Sequence, residues 1–300
     1  MSWMVTNNLT FTVFLSLLLL STPFPSNPKL ENLVFFRDTV GLSTPQLTKL
    51  IQKKPNSLSI SPIQLKATHD YFTLDLKLSS NQFQRLILSF PQIFAYSIPN
   101  NLVPTVTYLT QTIGFSAPSL TRSLTRYPQL LSLSVDQTYL PKIQFLEQHL
   151  HLNRKGDVLK VMKNFPPIVW LSFDNLLAKI EFFSTPTPHG CGLHNPADLR
   201  SFVLAFPQVL GLSTDNLQQT VRFYHESGLG TTTKNGLSGV LSSAPHFLAY
   251  SIPRRLNPRK QRMLEHGIEV KYSSTKWITD KDEVFDRYLD QLTADFDFHG

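Results

Sequence analysis

Apolar residues recur along this chain at steps of three and four and then stop at a proline, over and over. Counting back from Pro91, positions −8, −5, −4 and −1 are Phe83, Leu86, Ile87 and Phe90; from Pro207 they are Leu199, Phe202, Val203 and Phe206. Such steps trace one face of an α-helix. The same offsets hold Val158, Val161, Met162 and Phe165 before Pro166, and Leu237, Val240, Leu241 and Ala244 before Pro245. A thinner version, Leu120, Leu124 and Tyr127, precedes Pro128. The pattern predicts a helix, here called A, that ends at each proline, because proline disfavours helical geometry in the residue before it and has no N–H to donate.

Six residues after each proline stands a serine, with an apolar pair between them in most copies. The copies are Pro55 to Ser61 (PNSLSIS), Pro91 to Ser97 (PQIFAYS), Pro128 to Ser134 (PQLLSLS), Pro166 to Ser172 (PPIVWLS), Pro207 to Ser213 (PQVLGLS) and Pro245 to Ser251 (PHFLAYS). A second helical period follows each serine, as in Tyr139 to Leu146 (YLPKIQFL), with Pro141 expected near the first turn, where a missing donor costs nothing. This predicted helix B centres on Tyr71 and Phe72, Tyr108 and Leu109, Phe182 and Phe183, Phe223 and Tyr224, and Met263 and Leu264 in the other copies. Gly114, Gly228 and Gly267 stand where left-handed C-terminal caps are expected. Leu33 to Ser43 (LVFFRDTVGLS) reads as the tail of one more helix B, so the array is expected to begin with a partial repeat.

Successive prolines lie 36, 37, 38, 41 and 38 residues apart, and a fixed period of roughly 20 to 50 residues marks a solenoid. No run shows sustained strand alternation, so the fold class is an all-α solenoid of about six helical repeats of 36–41 residues. One helical pair cannot bury its own apolar stripe, whereas stacked pairs share a continuous core. The Phe, Tyr and Leu at these offsets are therefore core residues. No Pro/Gly/Ser-rich linker interrupts the repeats, which makes residues 33–270 one repeat array, followed by an acidic C-terminal tail over 271–300.

The chain carries a formal charge of +7, and residues 276–300 hold three basic and seven acidic side chains, leaving +11 on residues 1–275. That balance points to an acidic partner, most often nucleic acid. A single cysteine, Cys191, excludes an intramolecular disulfide framework and a zinc ribbon. Residues 1–28 have no charge before Lys29 and contain the apolar run Leu9 to Ser21. That run is shorter than the ~20 residues a membrane-spanning helix needs, so the segment reads as a targeting extension and no membrane insertion of the mature chain is expected.

Stacked repeats turn equal offsets into rows. Six residues before the proline, opposite the apolar face, stand Lys49, Arg85, Arg122 and Lys160, giving way to Ser201 and Gly239 in the last two copies. In helix B, three residues before the aromatic or Met, stand Lys142, Lys179 and Lys260, with Thr68, Thr105 and Thr220 in the others. The densest cluster is Arg254, Arg255, Arg259, Lys260 and Arg262. These eleven cations are the candidate nucleic-acid contacts, and phosphate contact would make binding steeply salt dependent.

Catalytic signatures are absent: no GxGxxG, GxxxxGK[ST], HExxH or GxSxG occurs. The nearest group to a metal site is His189, Cys191 and His194, in the insertion that lengthens one period to 41 residues, and three ligands in a loop fall short of a structural zinc site. No enzyme activity, small-molecule substrate, cofactor or metal is expected.

The amphipathic helix ending in proline, the apolar pair, and a second helix reading L-x-P-K-[IV]-x-[FY]-L resemble the mTERF family, the mitochondrial transcription termination factors and their plant organelle relatives. The best copies are PQLLSLSVDQTYLPKIQFLEQHL and PQIFAYSIPNNLVPTVTYLTQTIG, and YSIPRRLNPRKQRMLEHGI resembles the family's ending. The resemblance implies a left-handed superhelical solenoid with a positive groove for double-stranded DNA, monomeric, acting in organelle transcription termination, initiation or RNA maturation. It implies a chloroplast or mitochondrial address, and the arginine-poor start favours the chloroplast. Two alternatives stand beside duplex DNA: an organellar RNA-binding factor in splicing or maturation, and a protein-binding scaffold, which would need an exposed apolar or acidic stripe.

Overall fold

The computed structural model describes residues 28–231, 235–269 and 276–297, so the expected targeting extension lies outside the described residues up to Pro28, where the first described helix opens. Every regular element among the described residues is a helix. Contacts divide the chain into two compact units that meet between Tyr139 and Leu140.

The proline-to-serine unit is one conformational device. Helices A cover Thr44–Lys53, Ser80–Ser89, Ala117–Arg126, Leu159–Asn164, Pro196–Ala205 and Gly236–Ser243. The residue before each proline leaves helical space, with φ between −145 and −134 and ψ between 63 and 81, as the clash with the pyrrolidine ring requires. The proline then opens a five-residue 3₁₀ turn, where its fixed φ fits and its missing N–H is not wanted. These turns bury the apolar pairs Ile93 and Phe94, Leu130 and Leu131, Ile168 and Val169, Val209 and Leu210, and Phe247 and Leu248. The serine caps helix B: in the last five copies its Oγ accepts the N–H three residues on, at 3.2–3.3 Å. Such a cap contributes about 1 kcal/mol.

The opening turns of helix B come in two forms, and an internal proline tracks which. Ile98–Leu102, Val135–Tyr139 and Ile252–Leu256 are wide π turns that run directly into Val103–Thr107, Leu140–Leu150 and Asn257–Glu265. These are the helices with a proline seven residues after the serine, namely Pro104, Pro141 and Pro258. The sequence expectation placed Pro141 in the first turn; it sits beyond it. A proline there loses a hydrogen bond and presses its ring on the carbonyl four residues back, and one extra residue per turn relieves both. Phe173–Ser184 and Thr214–Glu226 lack such a proline and are α-helical throughout. Where Gly114 closes helix B at φ 95, its N–H reaches the Leu109 carbonyl at 3.1 Å, in a backbone region that costs other residues strain.

The N-terminal end of the array carries a helix B with no helix A of its own among the described residues. Pro28–Val34 with the π segment Phe35–Thr39 repeats the form of Pro62–Asp70 with Tyr71–Asp75, and Phe36 and Phe72 are equivalently buried. The acidic C-terminal segment is also ordered: Lys276–Thr279 and Asp282–Asp297 are helices, and Trp277, Ile278, Phe285 and Leu289 are buried. The 41-residue period is absorbed by a loop that folds back on the end of Phe173–Ser184. There Cys191 and Leu193 donate backbone N–H bonds to the carbonyls of Phe182 and Phe183 at 3.2 and 2.9 Å, which buries the cysteine.

Candidate nucleic-acid interface

In the first unit the A helices carry cations with no carboxylate near them in sequence. There Lys49, Arg85 and Arg122 are all exposed on Thr44–Lys53, Ser80–Ser89 and Ala117–Arg126, because the apolar residues two positions to either side of each (Leu47 and Ile51, Phe83 and Ile87, Leu120 and Leu124) turn the opposite face to the core. Ser80–Ser89 and Ala117–Arg126 enclose a groove of 760 Å³ lined by Lys77, Arg85, Arg122 and Arg126, with Gln82 and Thr121. Residues 76–135 contain no Asp or Glu, and those four cations are the only Lys or Arg among them. None of the four is ion-paired among the described residues. Lys77 reaches the groove from a left-handed turn, φ 58, at the end of the preceding helix B. Neither Lys77 nor Arg126 lies on a repeat offset, so the register argument misses them; the acid-free run is the signal that marks them. In the second unit Lys160 is likewise exposed on Leu159–Asn164.

The helix B row is a different object. Lys142 and Lys179 were expected among the solvent-facing contacts, yet they are 4% and 2% exposed. Their position points into the packing between neighbouring repeats, where Asn32, Thr68, Thr105 and Thr220 are buried too. Three of these side chains meet backbone left open just ahead of the next helix B, whereas Thr220 Oγ1 donates to the Asn216 carbonyl of its own helix at 2.8 Å. Asn32 Nδ2 donates to the Ile60 carbonyl at 2.7 Å, Thr105 Oγ1 to that of Leu133 at 3.5 Å, and Lys142 Nζ to that of Leu171. Lys179 Nζ donates to Asn175 Oδ1. In the last repeat the buried member is Arg259, 3% exposed, and Lys260 lies one residue off the row. There Met263 takes the place of the second member of the pair, as Phe72 and Phe183 do, so the row falls four residues before it, on Arg259.

Burial holds the Lys142 ammonium below its ordinary value of 10.5 and does the same to Lys179. A native pKa below the unfolded one favours folding when the lysine is neutral; that contribution is present above the unfolded pKa and lost as pH falls through the native one. Measured against Lys142→Met, urea midpoints should therefore shift in the wild type's favour between about pH 8 and about pH 10. A gap that holds constant would place the ammonium in water.

The arginine cluster is largely spent on the C-terminal segment, which corrects its reading as an open phosphate patch. Arg255 donates to the carbonyls of Ile278, Thr279 and Asp280 at 2.9, 3.0 and 2.6 Å and lies 4.7 Å from the Tyr250 ring centroid. Arg259 donates to the Trp277 carbonyl at 2.9 Å and to Asp282 at 2.5 Å. Arg262 pairs with Asp286 at 2.7 Å, and both Arg259 and Arg262 lie over Phe285. The hydrogen bond from Arg259 holds the Asp282 carboxyl below the usual carboxylate range. Arg254 remains exposed, and Lys260, half-buried, lies 5.3 Å from the Phe223 ring centroid. Arginine side chains are suited to such clasps because a planar fork bonds several carbonyls at once.

No group of three or more His, Cys, Asp or Glu among the described residues is placed to hold a metal ion. Burial pushes the Cys191 thiol up, away from the reactive thiolate. No helix among the described residues is long and apolar enough to cross a membrane. A comparison with curated proteins finds no significant match. The mTERF family model matches residues 16–152 and 99–286, two overlapping stretches that cover most of the chain. With proline-broken helical repeats and no strand among the described residues, the chain belongs to the mTERF family of nucleic-acid-binding, helical-repeat proteins.

Proposed function

We propose that this protein is a non-enzymatic regulator of organellar gene expression that grips duplex DNA through its phosphates. The groove between Ser80–Ser89 and Ala117–Arg126 carries the reading: four cations without carboxylate partners line it, in a stretch of sequence that has no acid. Such a surface attracts a polyanion, and unpaired guanidinium groups suit phosphate oxygens. The exposed Lys49 and, in the second unit, Lys160 extend the contact set, with Arg254 and Lys260 as lesser members. Lys142, Lys179 and Arg259 are packing residues and drop out of it. Phosphate contacts fix position while base contacts specify sequence, so these cations account for affinity and not for the choice of site. The regulated step is transcription, with termination the foremost form, and the address is the chloroplast.

Crosslinking a tagged full-length chain in isolated chloroplasts and mitochondria, followed by sequencing of bound nucleic acid, tests address and ligand together. Chloroplast duplex DNA is the expected recovery. Recovery of organellar transcripts alone would replace the DNA reading with RNA maturation, and recovery of protein without nucleic acid would replace both with a scaffold.

A further inference from the structure

In the second unit, one stretch of surface is the chemical inverse of the cationic groove. Residues 164–221 hold two cations, Lys179 and Arg200, and both are engaged: Lys179 is 2% exposed and donates to Asn175, and Arg200 pairs with Asp157 at 2.7 Å. The four carboxylates of the stretch, Asp174, Glu181, Asp198 and Asp215, are all exposed and form no ion pair among the described residues. Trp170, Phe173 and Leu177 are 40%, 41% and 42% exposed, so three of the nine large apolar side chains left open among the described residues fall within eight positions. Phe173, Leu177 and Glu181 stand at steps of four on Phe173–Ser184 and share one face, which Asp174, three residues before Leu177, flanks. Phe173 is packed against two buried side chains, its ring centroid 5.1 Å from that of Phe145 and 3.9 Å from Lys142 Nζ.

We propose that this face docks a basic amphipathic segment of a partner protein, whose aliphatic side chains seat against Phe173 and Leu177 while flanking lysines or arginines meet Asp174 and Glu181. Apolar side chains on their own do not choose an occupant; the carboxylates do. They repel the phosphates that the groove of the first unit attracts, and they steer and orient a cationic partner. An aromatic side chain already fixed by packing loses little freedom on docking, and interface energy concentrates at aromatic anchors ringed by polar groups. An exposed apolar and acidic stripe is what a protein-binding role for this chain requires. Here it stands beside the nucleic-acid role and not in place of it, because the two surfaces carry opposite charge.

The probe is a labelled synthetic helix of about eighteen residues with leucine at every third or fourth position and lysine or arginine elsewhere. It is titrated with the full-length protein at about 0.15 M salt, where long-range attraction is screened. Binding is expected, and Leu177→Ser and Glu181→Lys should each weaken it about tenfold. Two control variants should leave it unchanged: Ile63→Ser, at a site 82% exposed in the first unit, and Glu226→Lys, the same charge reversal at an exposed site outside the stretch. Unaltered urea midpoints show that the variants are folded. A wild type that does not bind the peptide overturns the proposal. So does equal binding of a peptide with serine in place of leucine, which reduces the effect to charge, or an equal loss in Ile63→Ser and Leu177→Ser. A dimer of the protein alone that Leu177→Ser dissolves would give the face to a second copy, and loss of duplex DNA binding in that variant would give it to nucleic acid; either result overturns the proposal.

Discussion

Replacing Lys77, Arg85, Arg122 and Arg126 together with glutamine should weaken duplex DNA binding by about a hundredfold or more at low salt and flatten its salt dependence. Each phosphate neutralised on B-DNA adds about 0.9 to the slope of log affinity against log salt, so four lost contacts should lower that slope by about 3.6. The slope is the discriminating measurement, because a general loss of structure would reduce affinity without preserving a smaller, well-defined slope. The side chains line a surface groove and form no ion pair among the described residues, so the substitution breaks no salt bridge and costs only the Arg126 contact with the Tyr127 ring, 5.4 Å from its centroid. Lys142→Met, made on a buried member of the helix B row, should leave the slope where it was. A quadruple variant with an unchanged slope would refute the groove as the DNA site.

Arg259→Ala should cost about 2–3 kcal/mol of unfolding free energy, the largest effect expected of any single cation in the chain. The guanidinium is buried under Trp277, Asp282 and Phe285, and removing it strands the Trp277 carbonyl in the interior. Its carboxylate partner is different: Asp282 is 85% exposed at the side chain and returns to water, which keeps the cost toward the lower end for a broken pair. Urea denaturation followed by circular dichroism measures the loss. Hydrogen exchange should show it first over residues 276–290, the segment that Arg255, Arg259 and Arg262 hold down. A loss below about 0.5 kcal/mol would mean that the clasp is a surface feature without structural weight. Loss of duplex binding in Arg259→Ala at unchanged stability would restore the arginine cluster as a DNA contact.

Much of this was readable from residue order. The helix A offsets were right down to the buried Phe83, Leu86 and Ile87 and the exposed Arg85, because a single helix's two faces are set by its own 3.6-residue period. Helix B was harder for a local reason. Pro104, Pro141 and Pro258 each bring one extra residue in a π turn, which the residue order does not announce, and the last repeat's row fell on Lys260 in place of Arg259 because the count began from Met263 as the first of the pair when it takes the place of the second. The helix B lysines failed for a nonlocal reason. A lysine on a helix is ordinarily a solvated side chain, and it takes the carbonyl of Leu171 and the ring of Phe173, both delivered by the following repeat, to make a buried ammonium at position 142 tenable.

The sequence by itself determined the repeat, its all-α character, its proline breaks and serine caps, and the family, since each depends on neighbours within a few residues or on a period that survives in the letters. Only the tertiary structure decided which cations outside the helix A row face water and which of all of them share a groove. Lys77 and Arg126 join Arg85 and Arg122 across 49 residues to make one groove, while Arg259, the centre of the densest cluster in the chain, is turned inward by an acidic segment that the sequence presented as a tail. Charge is written in the sequence, but its exposure depends on what packs against it, and for these residues that partner is a different repeat.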